Sequence, residues 1–250
     1  MKSIEVDELT REFNGLTAVN RIRFEVEQGE IFGFLGPNGA GKTTTVRMLT
    51  GQLRPTSGRA HVMGCDIVED REQLKPQIGV VFEQQNLYTR FNALDNLKFY
   101  ARLYGMPRAR IARVLERVGL SSRAGDRIDK YSNGMRQRLM IARALLHEPR
   151  VLFLDEPTRG LDPGVARDIR SLIAELARED VTIFLTTHYM EEADRLCSRV
   201  AIINKGAIVA LAPPAELKSA LGSSATLEDV FLAKTGYELY RPTTVSQEIN

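Results

Sequence analysis

The fold is decided by residues 31–44, IFGFLGPNGAGKTT, in which an apolar run passes directly into a glycine-rich loop. The apolar run predicts a strand that is buried on both faces, and the residues after the loop predict a helix that begins near Lys42. The loop matches G-x-x-x-x-G-K-[ST] in the required strand–loop–helix context. It comprises Gly36, Pro37, Asn38, Gly39, Ala40, Gly41, Lys42, Thr43 and Thr44.

The residue types in this loop suit phosphate binding. Glycines let backbone N–H groups turn inward around a phosphate chain without clashes from Cβ atoms. The helix adds the positive end of its dipole, the Lys42 ammonium can reach the β- and γ-phosphates, and the Thr43 hydroxyl can ligate Mg²⁺. The segment therefore predicts a nucleoside triphosphate site; a Gly-rich turn with an incidental lysine is the alternative.

A second apolar strand, at residues 151–154, is followed by two acids. In enzymes with such phosphate loops the first acid holds Mg²⁺ through its water shell, which makes Asp155 the candidate. The second acid can orient or deprotonate the attacking water, and that role falls to Glu156. An acidic strand end is weak support by itself, but its place downstream of a phosphate loop makes the prediction specific.

The rest of the chain predicts an α/β fold. Apolar residues at three- and four-residue spacing predict helices within 93–147, and an amphipathic helix at 165–179 lies between two strands, as in a parallel sheet. A Gly-rich turn region is expected up to about residue 66, and residues from 213 onward are expected to be helical and peripheral. Strands are expected within 4–35 and at 78–82, 151–156, 181–188 and 199–211.

Composition excludes several classes of protein. The chain has 250 residues, of which 43% are hydrophobic and 26% charged, and this excludes a disordered or collagen-like chain. Two cysteines cannot form a disulfide framework, and no apolar run approaches the length of a membrane span. Residues 101–150 hold 12 basic and 4 acidic residues. That excess fits a solvated helical surface, or a surface that faces anionic lipid or nucleic acid.

Four further features stand in a fixed order around these two motifs. Phe13 precedes the loop by some twenty residues, the segment YSNGMRQR occupies 131–138, TRGLD occupies 158–162, and His188 ends the strand VTIFLTTH. In this order the sequence resembles the nucleotide-binding subunits of ATP-binding cassette transporters, from about residue 3 to about residue 235. Singly, each feature has a structural alternative, such as a core phenylalanine, a turn or a structural histidine.

The resemblance implies a set of roles. Phe13 would stack on adenine, and Glu156 and His188 would act at the γ-phosphate, with ATP and Mg²⁺ as the bound cofactors. The segment at 131–138 resembles the family signature, which completes the ATP site of a second subunit, and Asp162 belongs to the D-loop that crosses the dimer interface. The signature residues implied to contact ATP are Ser132, Asn133, Gly134 and Met135.

The sequence departs from the family pattern at four positions. Glu83 stands where the family usually has a Gln that touches Mg²⁺; we expect the Glu83 carboxylate to take this metal-linked role, with Gln84 as the rival. Asn133 replaces a Gly and Met135 a Gln in the signature, and Asn tolerates the left-handed backbone of such a turn. Arg159 stands where a small residue is common, and the sequence offers no mechanistic account of it.

The resemblance also implies an organisation and partners. We expect one cassette domain over 1–235, with a P-loop NTPase core, an N-terminal antiparallel β-subdomain and an inserted helical subdomain, and then a tail at 236–250. The core would cover about 1–86 and 150–212, the helical insertion about 87–149, and a C-terminal helical extension 213–235. The expected partners are a second cassette subunit, identical in the simplest case, and a separate membrane permease, which would hold the chain peripherally at the cytoplasmic face.

Two points of this functional prediction have alternatives. Asn86, Leu87, Tyr88 and Phe91 are expected to dock on the permease, whereas Tyr88 and Phe91 could instead pack inside the helical insertion. The segment 227–231 and the overall likeness indicate the exporter branch that serves drugs, lipids and polysaccharides. A cassette ATPase acting on nucleic acid or ribosomes, and a non-hydrolytic regulatory subunit, are the rival functions; no nucleic-acid partner is expected.

Overall fold

The computed structural model describes residues 1–236, and the last part of the predicted tail, 237–250, lies outside the described residues. The strands are β1 (Lys2–Phe13), β2 (Leu16–Glu27), β3 (Ile31–Leu35), β4 (Ser57–Val62), β5 (Cys65–Asp66), β6 (Ile78–Val81), β7 (Val151–Asp155), β8 (Thr182–Thr187), β9 (Arg199–Asn204) and β10 (Ala207–Ala212). The α-helices are α1 (Lys42–Leu49), α2 (Arg71–Leu74), α3 (Ala93–Leu103), α4 (Ala109–Arg117), α5 (Asn133–Ala144), α6 (Pro163–Arg178), α7 (Met190–Leu196), α8 (Pro214–Leu221) and α9 (Leu227–Thr235).

These strands form two sheets. An antiparallel sheet has the order β2-β1-β4-β5, and the main sheet has the order β10-β9-β3-β8-β7-β6. In the main sheet β3 pairs in parallel with β8 and β9, and β7 pairs in parallel with β6 and β8, while β10 is antiparallel to β9. The predicted α/β fold, with a mainly parallel sheet and an N-terminal antiparallel sheet, is confirmed.

Central strands of the main sheet are buried on both faces, as their apolar sequences predict. Alternate side chains therefore enter two different core clusters. Phe32, Phe153 and Phe184 pack on the face toward the antiparallel sheet, where Phe24 lies 5.3 Å from Phe32 between ring centroids. The opposite face carries leucines and isoleucines that pack against the helices, including Leu35, Leu154 and Leu185.

The helical region between β6 and β7 contains α3, α4 and α5, and its apolar spacing matches its buried positions. Five of the twelve basic residues in 101–150 form ion pairs: Arg110–Glu148, Arg117–Glu179, Arg123–Asp126, Arg127–Asp129 and Arg138–Asp168. Arg136 and Arg143 donate to backbone carbonyl oxygens. This pairing fits the solvated helical surface better than a continuous basic face. None of the helices described within 1–236 combines the length and apolar character that crossing a bilayer requires.

Two sequence expectations were wrong. The turn region expected up to residue 66 contains β4 and β5, and Ile4 of β1 lies opposite Val62 of β4. The β4 strand escaped detection because three of its six residues are exposed and carry no apolar alternation. The C-terminal segment is helical as expected but is not peripheral, because Leu227, Val230 and Phe231 of α9 are buried in the larger core cluster.

Candidate active site

The phosphate loop, the two predicted acids and His188 meet at one edge of the main sheet. The phosphate loop follows β3, Asp155 ends β7 with Glu156 directly after it, and His188 follows β8. Because β3, β8 and β7 are parallel neighbours, their carboxyl ends lie side by side. Ligand sites of open α/β sheets form at this edge.

The phosphate loop has a backbone that tolerates few side chains. A Cβ atom on Gly36 would lie 2.5 Å from the carbonyl oxygen of Ile203, and one on Gly41, whose φ is +108°, would lie 2.5 Å from that of Ala18. Gly41 precedes α1, whose first residue is Lys42. The Lys42 ammonium donates to the carbonyl oxygens of Gly36 (2.7 Å) and Pro37 (3.2 Å), so it lies across the mouth of the loop.

Asp155 is buried beside the start of α1. Its carboxylate accepts hydrogen bonds from the hydroxyls of Thr43 (2.8 Å) and Thr186. Burial raises the pKa of Asp155 above its usual value, although the two hydroxyls oppose this shift. A buried carboxylate next to a threonine hydroxyl is an oxygen donor set that suits Mg²⁺. Within 1–236 no three acidic, His or Cys side chains cluster as a metal site.

Glu156 lies between Lys42 and His188 and contacts both side chains. One carboxylate oxygen lies 3.1 Å from the Lys42 ammonium, and the other lies 2.7 Å from Nδ1 of His188. The Glu156 side chain is 4% exposed, and its backbone has φ +53°, a region that non-glycine residues rarely adopt. The N–H of Glu156 donates to the carbonyl oxygen of Thr186 (3.1 Å), which fixes the residue at the end of β7.

A cavity of about 500 Å³ lies beside these groups. Its lining brings together residues that are far apart in sequence: Phe13, Thr43, Thr44, Glu83, Gln84 and Asp155. The Phe13 ring is 40% exposed, and the guanidinium of Arg11 lies 4.4 Å from its centroid. The cation covers one face of the ring.

The predicted signature segment lies apart from this cavity. Ser132 and Asn133 are exposed, and the Ser132 hydroxyl accepts a hydrogen bond from the Met135 N–H (3.3 Å) as the N-cap of α5. The helix begins at Asn133, which therefore has helical backbone and not the left-handed backbone expected for it. Gly134 packs on α6, since an added Cβ would lie 2.4 Å from Cγ1 of Val165. The cavity lining contains none of Ser132–Met135.

The turn after Glu156 is held by hydrogen bonds. The N–H of Arg159 donates to the carbonyl oxygen of Glu156 (3.2 Å), and the Thr158 hydroxyl donates to Oε1 of Glu192 (2.8 Å). Glu192 is 3% exposed, and burial raises its pKa. Sequence reasoning missed Glu192, because a single acid in the helix after a histidine forms no pattern. Asp162 is exposed at the N-cap of α6.

Glu83 and Gln84 follow β6 and both line the cavity. The Glu83 carboxylate forms an ion pair with the Arg159 guanidinium, with Oε1 and Nη1 2.7 Å apart. The two positions for which the sequence left questions are therefore partners of each other. The metal-linked role of Glu83 stays a prediction.

Residues 19–159 match the family model described as ABC transporter. The chain is 40% identical over 220 residues to a "Probable multidrug ABC transporter ATP-binding protein" of Escherichia coli, covering 86% of this chain but 38% of the relative. It is 48% identical over 203 residues to a "Fluoroquinolones export ATP-binding protein" of Mycobacterium tuberculosis, covering 81% of this chain and 67% of the relative. A solved "ATP binding subunit of ABC transporter" superposes with a TM-score of 0.83 at 27% identity, covering 92% and 98% of the two chains.

Proposed function

Because the chain belongs to the ABC transporter family, as an ATP-binding cassette, we propose that it hydrolyses ATP to drive export through a separate membrane permease. The observation that carries this proposal is the grouping of four residues at one sheet edge: Lys42 with Glu156, and Thr43 with Asp155. The grouping joins a phosphate-binding cation, a carboxylate next to it and an oxygen site for Mg²⁺. That combination suits phosphoryl transfer to water.

In this proposal ATP binds in the cavity with its triphosphate on the loop 36–44 and its base stacked on the Phe13 ring. Lys42 then exchanges carbonyl and carboxylate partners for phosphate oxygens. Thr43 and Asp155 would hold Mg²⁺, whose chemistry is to offset negative charge on the β- and γ-phosphates. Glu156, released from Lys42, accepts a proton from the attacking water, while His188 keeps the carboxylate in place through its hydrogen bond.

A second cassette completes the site in this proposal. Ser132 and Asn133 are exposed, and the segment Ser132–Met135 does not line its own chain's cavity. The start of α5 presents the Ser132 hydroxyl and the N-terminal N–H groups of a helix, which suit a phosphate. Two chains arranged head to tail would place this segment, with Asp162, over the other chain's ATP. The simplest such assembly is a homodimer that closes on ATP and opens after hydrolysis.

The proposed permease-docking surface is a cluster of exposed aromatic rings next to the site. Tyr88, Phe91 and Phe99 are about half exposed. The ring centroid of Tyr88 lies 5.9 Å from that of Phe91 and 5.7 Å from that of Phe99. Their exposure opposes the alternative that Tyr88 and Phe91 pack inside the helical region. Arg143 connects this surface to the fold, since it donates to the carbonyl oxygen of Asn86 (3.1 Å) and to the Tyr100 hydroxyl (3.2 Å).

The export direction and a drug-like, lipid or polysaccharide cargo are proposed from the relatives, two of which are named for multidrug transport and fluoroquinolone export. Docking on a permease would place the chain at the cytoplasmic face of the membrane. The test is ATP hydrolysis by the purified chain, with and without the permease, alongside Lys42→Ala. No ATP turnover in either preparation would contradict the proposal, and steep salt-dependent binding to RNA or DNA would favour the nucleic-acid function.

A further inference from the structure

An ion pair joins the loop after β6, which lines the nucleotide cavity, to the loop after β7. Glu83 and Arg159 are 76 residues apart in sequence, but their side chains meet at 2.7 Å. Glu83 lies two residues after β6, at the start of the segment that leads to the exposed aromatic rings. Arg159 lies in the turn after β7, three residues from Glu156. The pair therefore bridges the proposed permease side and the proposed hydrolytic side of the chain.

Each partner is placed where it can act on the other. Glu83 lines the cavity together with Thr43 and Asp155, so its carboxylate adds negative charge where a triphosphate would bind. Arg159 is fixed by its own backbone, because its N–H donates to the Glu156 carbonyl and its neighbour Thr158 is bonded to buried Glu192. These hydrogen bonds hold the turn that carries Arg159 close to the Glu83 carboxylate.

The charge balance explains why Glu83 can occupy this place. A carboxylate beside a polyphosphate is repelled, and the repulsion falls when a cation is paired with the carboxylate. The two side chains are 44% and 39% exposed, so solvent screens the pair and limits its strength. It is nevertheless suited to position one loop against the other.

We propose that Arg159 is a positioning residue that holds Glu83 at the edge of the nucleotide cavity and offsets its charge, which favours ATP binding. The proposal rests on the proposed function. It differs from direct metal ligation by Glu83, in which Arg159 would compete with Mg²⁺ and its removal would tighten Mg²⁺-dependent binding.

The test is a double-mutant cycle on ATP affinity, measured by titration of the full chain with a fluorescent ATP analogue in EDTA and again in Mg²⁺. The variants are Arg159→Gln, Glu83→Gln and the double variant, with Arg159→Lys as the charge-preserving change. Arg117→Gln is the matched control, since it breaks an ion pair of similar exposure, with Glu179, on the distant α4. Thermal unfolding of each variant checks that folding is intact.

In EDTA we expect Arg159→Gln to raise the Kd for the analogue about three- to fivefold, the upper range for a partly exposed pair. The increase should vanish when Glu83 is already Gln, shrink at high salt, and be largely reversed in Arg159→Lys. An equal increase in both backgrounds, or tighter binding after loss of Arg159, would overturn the proposal. A wild-type chain that binds no ATP would overturn the proposed function as well, whereas wild-type binding without coupling refutes the pair alone.

Discussion

Replacing Glu156 by Gln tests the proposed hydrolytic base most directly. The substitution keeps the size of a side chain that is 4% exposed, and its amide oxygen can still accept from His188. Lys42 loses an ion-pair partner but keeps the carbonyl oxygens of Gly36 and Pro37. The phosphate loop and the cavity should therefore remain intact, and ATP should bind at least as tightly as in the wild type.

The expected loss is confined to the chemical step. A positioned general base contributes about 10²- to 10⁴-fold, or about 3 to 5 kcal/mol of the barrier at 1.36 kcal/mol per decade. Phosphate release at saturating Mg·ATP should fall by that factor. If a second chain completes the site, the variant should also accumulate as an ATP-bound dimer, visible by light scattering after size exclusion.

Glu179→Gln is the control for the same chemical change at an exposed ion pair, because Glu179 is 58% exposed and pairs with Arg117 of α4. It should hydrolyse ATP within about twofold of the wild type, in line with a screened pair. Hydrolysis by Glu156→Gln at the wild-type rate would show that the base assignment is wrong.

Three further predictions follow from the geometry. Phe13→Ala should weaken ATP binding by about three- to tenfold through loss of aromatic stacking, and Phe13→Trp should retain the wild-type affinity. Titration calorimetry measures both affinities. An unchanged ATP affinity in Phe13→Ala would exclude a stacking role. Burial raises the pKa of Glu192, so the stabilising contribution of this residue is present at low pH and is lost as pH rises. The Tm of Glu192→Gln minus the Tm of the wild type should therefore become more positive between pH 4 and pH 8. A Tm difference that does not depend on pH would contradict this prediction. Gly134→Ala should lower the free energy of unfolding by about 1–3 kcal/mol in urea titrations, because the new methyl group would overlap Val165. Gly164→Ala is the control, since Gly164 has open space around it, and it should lower the free energy of unfolding by less. Equal losses in the two variants would refute the packing argument.

Sequence periodicity predicted the elements that bury continuous apolar runs. The β3 strand, the phosphate loop and the β7 strand follow from local pattern, because each couples a buried run to residues of fixed chemistry. In contrast, β4 is specified by its pairing with β1, where Ile4 lies opposite Val62. The β4 sequence itself has no apolar alternation that would predict a strand. Non-local pairing of this kind overrides local propensity.

The site likewise contains residues that local motifs predict and contacts that only the folded structure shows. The motifs named Lys42, Thr43, Asp155 and Glu156 individually, and the order of parallel strands brings them together. The contact of Arg159 with Glu83 depends on two loops that the sheet brings together, and no sequence pattern around either residue predicts the other as its partner. The partners of long charged side chains are set by tertiary geometry, so the sequence could flag Arg159 but not explain it.

The alternation of side chains between two core clusters has a mechanical consequence. The strands β3, β8 and β7 are packed against rings on one face and aliphatic chains on the other, so the sheet edge that carries Asp155 and Glu156 is stiff. A stiff edge does not absorb displacement. We therefore expect the movements that accompany ATP binding to occur in the segments outside the sheet, such as the loop from Glu83 to the exposed rings.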